Sequence, residues 1–404
     1  MERAGVNRLH TSMRAAAPED TLRLAKAWAG KARIRAVEEI THLDCLDVPI
    51  FVSERDAALS DGFTFGKGLV AIESEIGAHM EAIESHFAEP GAAAIETCWG
   101  TPRDLAPAVR GACADPAFAF APLLNRRADP GQRLLLARAR DAETGASAWV
   151  PAELVFYPAP DVGTELYGAS TNGLASGNSV AEASLHALLE LIERDIWSIE
   201  FVRDASRLVV ASSLPSEIRR IVQKARRHGL DLVVRSVPND FGMPFFAAFL
   251  FDPELPQQRF FNGGWGCHPD RRIALTRAVT EVAQSRAAFL HGGRTAPLWD
   301  GGGPEADGVR AQIERVSNAS APVSFAGIEE PGRASSLDGQ WALAVACLRR
   351  VADTPIWRVV YTPEEGPLHV VRLIVPLLEH FSKETMRAGP RLQAALEADA
   401  EAAA

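Results

Sequence analysis

Apolar side chains recur every three or four positions from Leu22 to Trp28 and over residues 71–87, 180–199 and 272–289, which predicts four amphipathic helices. Shorter helices are predicted around Arg310–Val316 and Trp341–Val351. Between them lie compact apolar runs of strand character: Val48–Val52, Phe63–Phe65, Leu232–Val234, Phe245–Phe251, Ile356–Val360 and Val370–Val375. Leu134–Leu136 and Glu153–Tyr157 read as arms of a hairpin around Glu143-Thr144-Gly145. The Gly-rich runs Thr171–Ser179 and Asn262–Asp270 read as loops, each feeding a helix. Residues 292–340, dense in Gly, Pro and Ser, form an excursion. The chain divides into an N-terminal arm (1–34), a central domain (35–380) and an Ala/Glu-rich tail (381–404).

With 404 residues, the chain is long enough for two or three fused units and a deep site between them. Hydrophobic residues at 47% and charged residues at 23% mark a folded protein. A net charge of -10 without a basic cluster argues against nucleic acid and anionic membrane as partners. No apolar run approaches the ~18 residues of a membrane span and no signal segment opens the chain, so a cytoplasmic location is expected. Cys45, Cys98, Cys113, Cys267 and Cys347 are too scattered for a disulfide framework or a zinc ribbon.

Three of the helices share an acidic signature. Glu81 and Glu84, Glu190 and Glu193, and Glu281 with Gln284 each stand three residues apart, on one helix face, among apolar neighbours such as Ile83, Leu189 and Ile192. Half-buried carboxylates in pairs resist ionisation unless a cation sits between them. Oxygen ligands without Cys favour Mg²⁺, which commonly arrives with phosphate. Lys67 between Gly66 and Gly68, Arg194 and Arg277 supply cations suited to phosphate oxygens. No P-loop or kinase signature is present, and Gly66-Lys67-Gly68-Leu69-Val70-Ala71 matches a dinucleotide fingerprint only in relaxed form. His79, His186 and His268 read as structural residues, and no nucleophilic triad is found.

From Thr171-Asn172-Gly173-Leu174-Ala175-Ser176-Gly177-Asn178-Ser179 through Glu190-Leu191-Ile192-Glu193-Arg194, the chain resembles the YcaO family of ATP-dependent amide-activating enzymes. The resemblance extends back to Gly66-Lys67-Gly68 and Glu81-Ala82-Ile83-Glu84, and forward through Gly266-Cys267-His268-Pro269 with Arg277 and Glu281. Thr41-His42-Leu43-Asp44 and Gly-Cys-His-Pro make it most similar to the branch that acts with TfuA-type partner proteins.

The resemblance implies an α/β (α+β) fold of pseudo-repeated helix-and-sheet halves with an ATP site between them, and ATP and Mg²⁺ as cofactors. It implies that Lys67, Glu81, Glu84, Asn172, Asn178, Glu190, Glu193, Arg194, Arg277 and Glu281 line that site, with Glu81, Glu84, Glu190 and Glu193 toward the metal. No catalytic residue is assigned. In the family a nucleophile adds to a peptide amide and ATP phosphorylates the resulting oxyanion, so that phosphate can leave. With external sulfide as that nucleophile the product is a thioamide, and with a neighbouring Cys, Ser or Thr it is an azoline. The expected partners are a peptide or protein substrate and a TfuA-like protein; a homodimer is left open.

The chain departs from the family pattern at Thr171, where many relatives have Ser, and at Leu377, where Gly is usual. It also ends in Glu401-Ala402-Ala403-Ala404 rather than the proline-rich terminus of azoline-forming members. The expectation is therefore thioamidation, with azoline formation or a catalytically silent scaffold subunit as alternatives.

Overall fold

In the computed structural model, which describes residues 7–105, 115–162, 165–255, 257, 260–292, 304–382 and 386–403, the apolar periodicity resolves into eight α-helices. These are α1 (Pro18–Trp28), α2 (Ala71–Ala88), α3 (Val180–Arg203), α4 (Ser216–Arg227), α5 (Arg271–His291), α6 (Pro304–Ser317), α7 (Leu337–Arg349) and α8 (Pro390–Ala403). Local chemistry fixes their ends. Ser179 Oγ accepts the Glu182 N–H at the start of α3, Asp270 accepts the Arg272 and Ile273 N–H groups at the start of α5, and Gly292 at φ 80° closes α5.

The strands form antiparallel sheets. One runs Ile34–Glu39, Ile50–Arg55, Phe63–Lys67. A second runs Arg207–Leu208, Asp231–Ser236, Phe245–Phe251, Asn262–Cys267. The largest orders Thr97–Gly100, Leu134–Asp141, Trp357–Val360, His369–Ile374 and Leu174–Gly177, with Ser147–Pro151 also paired to Leu134–Asp141. Each central helix lies between sheets. α5 shares a core with Ile50, Val52, Phe246 and Ala248 from the first two sheets. α3 packs Leu188 and Ile192 with Phe245 of the second sheet and Val371 of the largest. α1 and α2 cover the largest sheet through Trp28, Ile83, Leu136 and Val370. The segment drawn as an N-terminal arm thus contributes Ala25 and Trp28 to the core.

Three sequence expectations are corrected. The run read as a loop at Thr171–Ser179 contains a strand over Leu174–Gly177, revealed only by its distant partner His369–Ile374. The run read as a loop at Asn262–Asp270 is a strand over Asn262–Cys267. Its glycines weaken β propensity, yet they are what lets α5 lie against it: a Cβ on Gly264 would stand 2.3 Å from the Val282 nitrogen, and one on Gly266 2.0 Å from the Ala274 oxygen. The hairpin arms are Leu134–Asp141 and Ser147–Pro151 instead of Leu134–Leu136 and Glu153–Tyr157. Residues 152–154 are a tight turn because the buried Glu153 carboxylate accepts the backbone N–H groups of Leu166, Tyr167 and Gly168. Leu377, the departure from glycine, keeps the backbone a glycine would adopt, at φ 70°. Residues 293–303 of the excursion, and Cys113, lie outside the described residues; Cys45, Cys98, Cys267 and Cys347 are free thiols.

The glycine contacts make a prediction. Gly266→Ala should lower the unfolding free energy by about 3 kcal/mol, because backbone on both sides must move. Gly62→Ala, where a Cβ meets nothing within 4 Å, should change it by less than ~0.5 kcal/mol. Urea denaturation decides, and equal midpoints for the two variants would contradict the packing argument.

Candidate functional site

Glycine-bearing strands also press against α2 and α3. A Cβ on Gly66 would stand 1.9 Å from the Ser74 oxygen, and one on Gly177 2.8 Å from the Ala183 nitrogen. Three helices held this closely to three strands bring their acidic faces onto one cavity of about 1430 Å³. Of the ten residues expected at the site, Lys67, Glu81, Glu84, Asn172, Glu190, Glu193, Arg194, Arg277 and Glu281 line it. Asn178 sits behind the wall: its side chain accepts from Thr21 Oγ1 at 3.1 Å and donates to Glu182 at 3.3 Å.

Opposite charges interleave across the cavity. Lys67 Nζ reaches Glu281 Oε2 at 2.6 Å. Arg194 lies 3.8 Å from Glu190 and 3.7 Å from Glu193, and Arg277 lies 3.9 Å from Glu193, all beyond hydrogen-bond distance. The Glu193 Oε2 accepts the Cys267 backbone N–H at 2.9 Å, which ties α3 to the glycine-rich strand. Glu84 accepts from Ser176 Oγ at 2.5 Å, and Glu190 from the Gly173 N–H at 3.3 Å. Arg277 Nε is buried with no hydrogen-bond partner among the described residues.

Burial, helped by the neighbouring Glu81 and Glu190, pushes the Glu84 carboxyl up to about 8. Burial likewise pushes Glu190 up to about 7, with Glu193 adding to the shift and Arg194 opposing it. Burial also acts on Glu281, but Lys67 and Arg194 outweigh it and hold that carboxyl below its ordinary range. His186, on the same wall, is driven well below the usual histidine range by burial and by Arg277, so it stands neutral. The thiol of Cys267 is pushed well up by burial and Glu193, which disfavours its thiolate.

Sequence reasoning missed the acids at the helix starts. Glu182 follows Ser179 as a Ser-x-x-Glu box would, so it reads as a helix cap. Its carboxylate instead accepts from Arg14 Nη1 at 3.0 Å and from the Ala15 N–H at 2.8 Å. Glu73, at the start of α2, accepts from the His10 N–H at 3.1 Å and Thr11 Oγ1 at 3.2 Å. Arg8 pairs with Asp270, the cap of α5. The ribbon Asn7–Arg8/Met13–Arg14 therefore binds the starts of all three central helices and roofs one end of the cavity.

The donor set fits Mg²⁺ held jointly with phosphate. Among the described residues no group of three His, Cys, Asp or Glu side chains converges closely enough to hold an ion. Mg²⁺ ordinarily takes one or two carboxylates and completes its shell with phosphate and water. The unpartnered Arg277 Nε offers that phosphate a buried donor.

Comparison with known proteins places the chain. The family model described as YcaO cyclodehydratase, ATP- and Mg²⁺-binding, matches residues 65–379. An uncharacterized protein of Methanothermobacter thermautotrophicus is 30% identical over 94% of this chain and 98% of its own. A protein of Rhizobium leguminosarum bv. trifolii, named for its position in the tfuA 3′ region, is 29% identical over 93% of this chain and 90% of its own. The fold matches that of YcaO from Methanopyrus kandleri bound with AMPPCP and Mg²⁺, with a TM-score of 0.76 and 23% identity over 96% of this chain and 98% of that one. It also matches a heterocyclase in complex with substrate and cofactor, with a TM-score of 0.73 and 20% identity over 97% of this chain and 55% of that one. No helix among the described residues is long and apolar enough to cross a membrane.

The raised carboxyls give a pH prediction for the ligand-free chain. Glu84 and Glu190 bind their protons more tightly folded than unfolded, so their stabilising contribution is complete below pH 4.5 and is lost as pH rises toward 7 to 8. Unfolding free energy should fall across this window by up to about 1.4 kcal/mol per pH unit for each group. Glu84→Gln should flatten the fall. Urea titrations at several pH values check it, and an unchanged slope in the variant would contradict it.

Proposed function

The chain belongs to the YcaO family, and from that premise we propose that its cavity takes Mg–ATP and a peptide segment together and activates a backbone amide by phosphorylating its oxygen. The observation that carries this reading is the convergence of α2, α3 and α5 acids with Lys67, Arg194 and Arg277 on one cavity. When bound, Mg–ATP supplies the phosphoryl group that makes the amide oxygen a leaving group. Glu81, Glu84, Glu190 and Glu193 would hold the metal. Arg277, whose Nε has no partner, and Arg194 would meet phosphate oxygens. Lys67 would turn from Glu281 toward the same anion. Asn172 and Glu281, which line the cavity, would face the nucleotide directly, whereas Asn178 would act through Glu182.

The product we assign is a thioamide, made with a sulfur donor and a TfuA-like partner. Support comes from the Rhizobium relative, which is named for its place in the tfuA 3′ region. Azoline formation is the second reading, favoured by the family description as cyclodehydratase and by the fold shared with heterocyclases. ATP hydrolysis by the purified chain would separate either reading from a silent scaffold.

Calorimetric titration with Mg–AMPPCP tests the site. Glu190→Gln and Glu193→Gln should each weaken binding by at least about tenfold, as expected for loss of a charged contact. Their unfolding midpoints should not drop to match. Unchanged affinity in both variants would contradict the assignment. Mass spectrometry of a peptide incubated with ATP, sulfide and a TfuA-like protein tests the product. A mass gain from exchange of oxygen for sulfur is expected; loss of water would move the assignment to the azoline.

A further inference from the structure

The cavity changes character along its length. On α3 the wall runs Glu182, His186, Glu190, Glu193 and then Trp197 and Phe201; on α5 it runs Arg277, Glu281, Ser285 and then Phe289. Spacings of three or four keep each series on one helix face. On α3 it carries the wall about 12 Å along the axis from Glu193 to Phe201. The charged end is thus followed by an aromatic end, where Trp197 stands 5.1 Å from Trp265 and 6.3 Å from Phe249.

Between α3 and α5 at this end lies Asn262–Cys267, which is the last strand of its sheet. Alternate residues of a strand turn their N–H and C=O groups to the same side. Gly263 and Cys267 turn theirs away from the neighbouring strand, since the Gly263 oxygen accepts from Ser285 Oγ at 3.1 Å and the Cys267 N–H donates to Glu193 at 2.9 Å. Trp265, midway between them, therefore turns its backbone N–H and C=O outward as well. Two side-chain donors of this strand, on its opposite faces, have no partner among the described residues: Trp265 Nε1, and Asn262 Nδ2 on a residue only 8% exposed. Both residues line the cavity.

We infer that the substrate peptide lies extended along this strand edge and pairs with the Trp265 backbone. A bulky apolar residue beside the target amide then occupies the Trp197/Trp265/Phe249 slot. The inference rests on the amide-activating reading and names the peptide class it takes. Edge pairing supplies affinity for any extended backbone, and the slot supplies the choice of side chain. The free donors at Asn262 and Trp265 answer peptide carbonyls. Glu190, Glu193 and Arg194, one to two turns back along α3, then face the adjacent amide.

The test uses capped hexapeptides of glycine carrying Phe at the third position, Ser there instead, or N-methyl-Phe there. Their binding to the full chain is read by saturation-transfer NMR with and without Mg–AMPPCP. The Phe peptide should bind at least about tenfold better than the Ser peptide, the effect of burying one aromatic side chain. N-methylation should weaken it severalfold. Trp197→Ala should abolish the Phe preference while Mg–AMPPCP affinity stays within about twofold. Should that variant fail to fold, Phe201→Ser, at a side chain 46% exposed, should reduce the preference instead. Equal binding of the Phe and Ser peptides would overturn the inference. So would a tenfold loss of AMPPCP affinity in Trp197→Ala, which would place the adenine ring in the slot. A chain that bound no nucleotide would refute the activating reading, while the Phe-to-Ser ratio measured without nucleotide would still decide the slot.

Discussion

Three contacts without a Cβ set the geometry on which the rest depends. Gly66, Gly177 and the Gly264/Gly266 pair each let a strand touch the backbone of the helix that follows it, at separations that leave no room for a methyl group. Helices held that near to their strands cannot rotate without breaking the contact, because interiors at crystal-like density have few alternative arrangements. The acids of α2, α3 and α5 are therefore aimed at one cavity by backbone packing, independently of any ligand. Gly66, which begins the relaxed dinucleotide fingerprint in the sequence, is a strand residue whose task is close approach to α2.

That rigidity has an electrostatic consequence. Carboxylates that cannot swing away from each other or into bulk water hold their protons, as Glu84 and Glu190 do. Where a cation is already at hand, as Lys67 is for Glu281, the carboxylate ionises instead. Alone, the acids of the cavity are partly protonated; Mg²⁺ held with phosphate would favour their ionised form. The N-terminal ribbon extends the same logic, since Arg8, His10 and Arg14 answer acids at the starts of the three helices.

The sequence made α2, α3 and α5 legible to within a few residues, because their apolar period spans four or more turns, whereas α4 was not read from it. It made most of the site legible too, because Glu-x-x-Glu and Glu-x-x-Gln recur at matching places. Long-range pairing was not legible. Asn262–Cys267 looks like a loop because half of its residues are glycine, and only its partner Phe245–Phe251 reveals it as a strand. Glu153–Tyr157 looks like a strand, but a buried carboxylate bound to three distant N–H groups makes its beginning a turn. Glu182 and Glu73 were hidden for the same reason: their partners lie about 167 and 63 residues away in the chain, on the N-terminal ribbon. The aromatic end was invisible because its slot is assembled from α3 and two strands.

The central claim is that these carboxylates form a metal site only when a nucleotide's phosphates complete it. Titration of Mg²⁺ into the chain with and without AMPPCP tests it most directly. The account predicts no measurable Mg²⁺ binding by the chain alone at concentrations that saturate it in the presence of AMPPCP, and loss of AMPPCP binding when Mg²⁺ is chelated. Tight Mg²⁺ binding in the absence of nucleotide, unaffected by its addition, would mean a preformed all-protein cage and would contradict the account.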